Sequence, residues 1–150
     1  MNTGRETRVS TAVTRVTEKL FQNDGRIGAY LIMGGVDVKG PHVAYIHAKG
    51  NHAYLPFIAM GSGSLNCIAI LETKYRDNMN AVDAESLMIE AISAGIVFDM
   101  GSGSNVDVCH VKRGSLNMKR NVKIGASRVK ESIPYKFPKD NTRNSLFDCK

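Results

Sequence analysis

Two short glycine–serine runs constrain this chain more than any other feature. Met60-Gly61-Ser62-Gly63-Ser64 leads into a helical pattern, and Phe98-Asp99-Met100-Gly101-Ser102-Gly103-Ser104-Asn105-Val106-Asp107 leaves the strongest helical pattern and enters an alternating one. Glycine permits backbone turns that other residues resist, and serine adds a hydroxyl that both donates and accepts. Two such loops, 40 residues apart, suggest two backbone turns serving one site.

The remaining pattern groups strands and helices. Val13, Val16, Leu20 and Phe21 recur at helical spacing over 9–23, and Asn23-Asp24-Gly25 stops that helix. Residues 26–38 form an apolar, β-branched and aromatic run, suited to a strand inside a layered structure; Gly34-Gly35 within it suggests a bulge or a close backbone approach. Lys39-Gly40-Pro41 turns the chain into a second strand, 42–47. A third strand over 52–60 is broken at Pro56, which places it at an edge. Helices are expected over 65–75 and 80–98, the latter capped by Asn80 with Asp83 in its first turn and a stripe of Ala84, Leu87, Met88, Ala91, Ile92 and Gly95. Residues 105–112 alternate like a strand. Strand and helix groups of this kind indicate an α+β fold. Three or four strands are few for a sheet covered on both faces, so the chain is expected to be the later part of a larger domain.

Composition divides the chain. Residues 1–111 hold 9 Lys/Arg against 11 Asp/Glu, a balance of −2; residues 112–150 hold 11 against 3, a balance of +8. The basicity belongs to the C-terminal segment. It reads as a solvated tail, an arm on an acidic partner surface, or a nucleic-acid contact without a recognisable motif. With 150 residues, 43% of them hydrophobic, the chain is long enough to bury a core. No apolar run is long enough for a membrane helix. Cys67, Cys109 and Cys149 lack metal spacing and read as reduced thiols, which suits the cytosol or nucleus.

Single motifs say little alone. A dinucleotide fingerprint needs glycine where Asn66 stands, and the Gly-Lys-Ser/Thr of a P-loop is absent. His42, His47 and His52 are spaced by five, which does not promise convergence on a metal. Ser62 and Ser102 lack the strand and elbow of a hydrolase nucleophile. As supporting hydroxyls beside Asp99 they can hold and polarise an amine.

Four segments in register carry a resemblance. Gly34-Gly35-Val36-Asp37 with Gly40-Pro41-His42, Met60 to Leu65, Ala91-Ile92-Ser93-Ala94-Gly95 and Asp99 to Cys109 together resemble a 20S proteasome beta subunit, closest to the trypsin-like catalytic type. The resemblance implies residues 1–113 as the C-terminal portion of a beta-subunit domain and 114–150 as a basic extended C-terminal arm. It implies an N-terminal-nucleophile hydrolase fold, a four-layer αββα sandwich, here without its N-terminal strands. It implies a threonine endopeptidase cleaving after basic residues in ATP- and ubiquitin-linked protein degradation. In such an enzyme the α-amino group of an N-terminal threonine acts as its base. Ser62, Asp99 and Ser102 match the residues that support that amine. His47 and Asn51 match, more loosely, a loop lining a neighbouring subunit's substrate cleft.

The threonine, and the aspartate, lysine and oxyanion glycine that serve it, belong upstream of residue 1 in the matched register. Neither Thr3 nor Thr11 stands in the context of that threonine, so the chain by itself is expected to be inactive. Apolar faces such as 27–36 would be poorly covered, and an isolated fragment marginal. The implied partners are other alpha and beta subunits and unfolded polypeptide, with neither nucleic acid nor membrane, no cofactor or metal, and a cytoplasmic and nuclear location. The alternative is a non-catalytic structural or assembly subunit, or an inactive fragment, of the same fold.

Overall fold

The computed structural model describes residue 4 and residues 6–124. Within them the chain runs α1 (Val9–Gln22), β1 (Leu31–Asp37), β2 (Gly40–Ile46), β3 (His52–Tyr54), α2 (Ser64–Lys74), α3 (Ala81–Phe98), β4 (Asn105–Lys112) and β5 (Ser115–Ile124). The α+β grouping expected from the sequence is the one observed.

Helix α1 lays Val13, Val16 and Leu20 on the first sheet, where Val13 and Leu20 are buried with Ala44 and Ile46. Phe21, expected with them, is 71% exposed. It follows Leu20 directly, and one residue turns the side chain about 100° off the stripe. The helix ends where the Asn23 N–H donates to the Leu20 carbonyl at 3.1 Å and Gly25 takes φ +78°.

The first sheet is antiparallel in the order β1-β2-β3, with β1 and β2 in register from Leu31↔Ile46 to Asp37↔Gly40. No bulge interrupts Gly34-Gly35. The close approach is what matters: a Cβ on Gly35 would stand 2.7 Å from a methyl of Val9. The chain reverses at Val38-Lys39, one residue earlier than expected. Strand β3 does lie at the edge, but it stops at Tyr54 rather than 60, before Pro56. Expected to be covered on both faces, β1 keeps Ile32 47% exposed, because α1 packs on the opposite face, that of Met33 and Gly35; Leu31, at the start of the strand on the α1 side, is 38% exposed.

The two later helices form a second core. Cys67 and Leu71 of α2 are buried against Leu87 and Ala91 of α3, with Phe57, Ile70, Tyr75 and Met79 at the margin. Asn80 caps α3 as expected, its side-chain oxygen accepting from the N–H groups of Val82 and Asp83 at 3.0 and 2.8 Å. Met88 and Ile92 of the expected stripe are about two-fifths exposed, while Ser93 is buried and donates to the Ile89 carbonyl at 2.6 Å. Bonded to its own helix, that hydroxyl is buried without an unpaired donor.

Strands β4 and β5 form an antiparallel hairpin with an irregularity between Val106 and Val108. The expected arm over 114–150 is therefore corrected at its start: 115–124 is hydrogen-bonded strand. Its charges are partly paired, Lys119 with Glu85 of α3 at 2.8 Å and Arg120 with Asp107 at 3.6 Å. Basic composition hid the strand because the partners of those charges lie on other elements. The rest of that segment, 125–150, lies outside the described residues. The two sheets come together where β1 approaches β4.

Candidate functional site

Each glycine–serine loop is placed by a helix end. In the first, Gly61 takes φ +102°, and its carbonyl accepts from Ser64 N–H at 3.1 Å, which starts α2. In the second, Asp99 caps the C-terminus of α3, its N–H donating to the Gly95 carbonyl at 2.9 Å. Ser104 then takes φ +80° as the chain turns into β4.

Because α2 and α3 pack closely, the loops meet. Ser62 Oγ donates to Asp99 Oδ2 at 2.6 Å, and Ser102 Oγ donates to the same oxygen at 2.5 Å. Gly101 N–H donates to the other carboxylate oxygen at 3.3 Å. The three residues singled out in the sequence thus form one cluster across 37 residues of chain. A carboxylate oxygen taking two hydroxyl protons leaves both serine oxygens with free lone pairs. An amine placed beside them finds two neutral acceptors and an adjacent negative charge, the arrangement that binds an N–H donor and favours its charged form.

The cluster opens on a cavity of about 360 Å³, lined on its α2–α3 side by Cys67, Ile92, Gly95 and Ile96. None of these four was singled out from the sequence as a site residue. Cys67 and Gly95 set the spacing: a Cβ on Gly95 would sit 2.8 Å from Cys67 Sγ, and one on Gly63 would sit 3.3 Å from Gly95 Cα. The signal was present in Gly95, a small residue on the apolar stripe, and in Cys67 one turn into α2. Burial pushes the Cys67 thiol above its ordinary pKa, so it behaves as a packing residue rather than a nucleophile.

His47 and Asn51 are placed elsewhere, closing the turn between β2 and β3. His47 N–H donates to the Asn51 carbonyl at 2.7 Å, and Gly50 N–H donates to the His47 carbonyl at 2.8 Å. The His47 ring stands edge-on to Tyr30, centroids 4.8 Å apart. His42 pairs instead with Asp37, and His52 lies edge-on to Tyr54. Among the described residues no three His, Cys, Asp or Glu side chains gather as for a metal. Thr11 lies on α1, exposed, and Thr3 is outside the described residues.

Residues 1–111 match the family model described as proteasome subunit. The chain is 42% identical over 142 residues to proteasome subunit beta type-7 of Dictyostelium discoideum, covering 95% of this chain and 53% of that protein. It is 39% identical over 142 residues to mouse proteasome subunit beta type-10, covering 95% and 52%. With proteasome subunit beta type-7-B of Arabidopsis thaliana it shares 44% over 119 residues, 79% and 43%. The chain thus spans about half the length of these curated relatives.

Proposed function

The chain belongs to the proteasome subunit family, and on that premise we propose that it carries the supporting side of a threonine-amine site in a beta-type subunit of the 20S core. One observation carries this reading: two serines on separate glycine loops give their protons to a single oxygen of Asp99. In the proposed site the nucleophilic threonine comes from a segment outside residues 1–150. Asp99 holds the threonine's α-amino group, and the Ser62 and Ser102 oxygens accept from it. So oriented, the amine takes the hydroxyl proton as the hydroxyl attacks a peptide carbonyl. The complete domain would be the four-layer sandwich of N-terminal-nucleophile hydrolases, with the exposed face around Ile32 covered by the added strands. The reading extends to cleavage after basic residues, to alpha and beta subunits as neighbours, to a cytoplasmic and nuclear location, and to a neighbour-facing role for the His47–Asn51 turn.

Peptidase activity tests it in two steps. The 150-residue chain alone is expected to leave a fluorogenic peptide with a basic residue before the leaving group uncleaved. Turnover by this chain alone, abolished by Ser62→Ala, Asp99→Ala or Ser102→Ala, would overturn the placement of the nucleophile. Supplied with a threonine-led segment taken from the unmatched half of a relative, the chain is expected to gain activity. Asp99→Ala is then expected to lower that activity by roughly 10²–10⁴-fold. Assembly without activity would favour the non-catalytic subunit.

A further inference from the structure

Asp37 takes no part in the glycine-loop site, yet it is 5% exposed, the most deeply buried charged residue among the described residues. Its Oδ2 accepts from Val9 N–H at 3.0 Å, and its Oδ1 accepts from Lys39 N–H at 2.8 Å and pairs with His42 Nε2 at 3.0 Å. Val9 is the first residue of α1, and Arg8 before it makes no capping side-chain bond. The first turn of α1 is therefore capped by a carboxylate from another element, at the end of β1. Gly35, two residues earlier, lets Val9 come down onto the strand.

Further along, the same helix holds a second turn. Gly50 takes φ +88°, and a Cβ there would stand 2.8 Å from the Thr17 carbonyl oxygen and 2.9 Å from Phe21 Cβ. The turn that carries His47 and Asn51 is thus seated on α1 about 12 Å along the helix from the Asp37 cap. The end of β1 and the turn after β2 thus both rest on one helix. The apolar contacts of Val13 and Leu20 resist separation of rod and sheet, but they are non-directional and resist sliding or swivelling less. The directional tie at the start of the rod is Asp37.

We propose that Asp37 is a positioning residue for the His47–Asn51 turn: by capping α1 from the end of β1 it sets the seat on which that turn rests. That the turn serves a neighbouring subunit's cleft rests on the reading above; that Asp37 holds it does not.

Hydrogen exchange on the 150-residue chain tests the tie from both sides. Asp37→Asn keeps the shape but removes one acceptor and the charge. Val9→Pro removes the N–H donor at a helix position that favours proline. Each is expected to speed exchange at the His47 and Gly50 amides by roughly tenfold, with the Tyr75 and Asp99 amides unchanged. Combined, the two should speed exchange at the turn by less than the sum of their separate effects, because both weaken the Val9–Asp37 tie. Val13→Ala, which weakens the α1 core but keeps the cap, should not single out the turn. Unchanged exchange at 47 and 50, an equal rise throughout the chain, or simple addition of the two substitutions would each overturn the proposal. If Asp37→Asn does not fold, Val9→Pro against Val13→Ala still decides it. Failure of the peptidase reconstitution with the exchange result intact would sink the functional reading and leave this one standing.

Discussion

The two halves of the molecule solve the problem of holding a loop in different ways. In the first half a helix lies on a sheet, its core formed by Val13, Leu20, Ala44 and Ile46, with a buried carboxylate tying its end. In the second half a helix lies on a helix, and glycines replace side chains at the contact: Gly63 against Gly95, and Gly95 against Cys67. A carboxylate shared by two loops requires their backbones to come closer than side chains allow, and small residues permit that. A turn that needs only to be kept in place can be held at a distance, through a rod and one polar tie. The Ser62–Asp99–Ser102 cluster proposed to support an amine falls in the half with the closer packing, and the turn proposed to face a neighbouring subunit falls in the other.

If the halves are separate cores, truncation in each should act alone. Ile46→Ala and Leu71→Ala remove side chains that are 0% and 1% exposed, and each should cost about 2–5 kcal/mol. Urea unfolding followed by helical circular dichroism should show the double variant adding within about 0.5 kcal/mol. A coupling well above that would join the cores and undo the comparison.

Glycine substitutions sharpen the contrast at smaller magnitude. Gly95→Ala should cost about 1–3 kcal/mol, because its methyl meets the buried Cys67 sulfur and the opposing loop. Removing that sulfur in Cys67→Ala should recover part of the loss. Gly35→Ala meets the side chain of Val9 alone, at 2.7 Å to the nearer methyl, and because Val9 is half-buried at a helix start and can shift, it should cost less in the same denaturation measurement. Equal costs, or no relief from Cys67→Ala, would mean that close packing does not distinguish the second half.

Much of this is legible in the sequence. Helical spacing located α1 and α3 to within a residue, because apolar residues recur every three or four positions along the face that packs, and the run 65–75 was read as helix to within a residue of α2. The Ser62–Asp99–Ser102 cluster was legible through chemistry: glycine for turns, serine hydroxyls and a carboxylate for a shared hydrogen-bond network. The positions that set its dimensions, Cys67 and Gly95, were not, since their significance is a distance between helices. Strand β5 was missed because the partners of Lys119 and Arg120 are Glu85 on α3 and Asp107 on β4. Phe21, Leu31 and Ile32 were assigned to a core because periodicity registers that a residue is apolar, not whether anything lies over it. Asp37 was noticed only as part of a motif, and its partner Val9 lies 28 residues away.

The smallest predicted effect concerns charge, and it separates the two kinds of tie. The N–H of Lys39 holds the Asp37 carboxyl below its ordinary pKa, with help from Val9 and His42 and against the cost of burial. The Lys119 ammonium does the same for Glu85, with His110 assisting. A carboxyl whose folded pKa is depressed binds its proton more readily in the unfolded chain. Its contribution is therefore fully present above the unfolded value near 4 and is lost as pH falls through the lower, folded value. Wild type should accordingly lose its stability advantage over Asp37→Asn as urea unfolding is repeated from pH 7 toward pH 3. The Leu71→Ala deficit, which involves no titrating group at that site, should stay nearly constant over the same range. An Asp37 advantage undiminished at pH 3 would mean that shape rather than charge holds α1 to its sheet, and the polar tie would then differ little from the glycine contact in the other half.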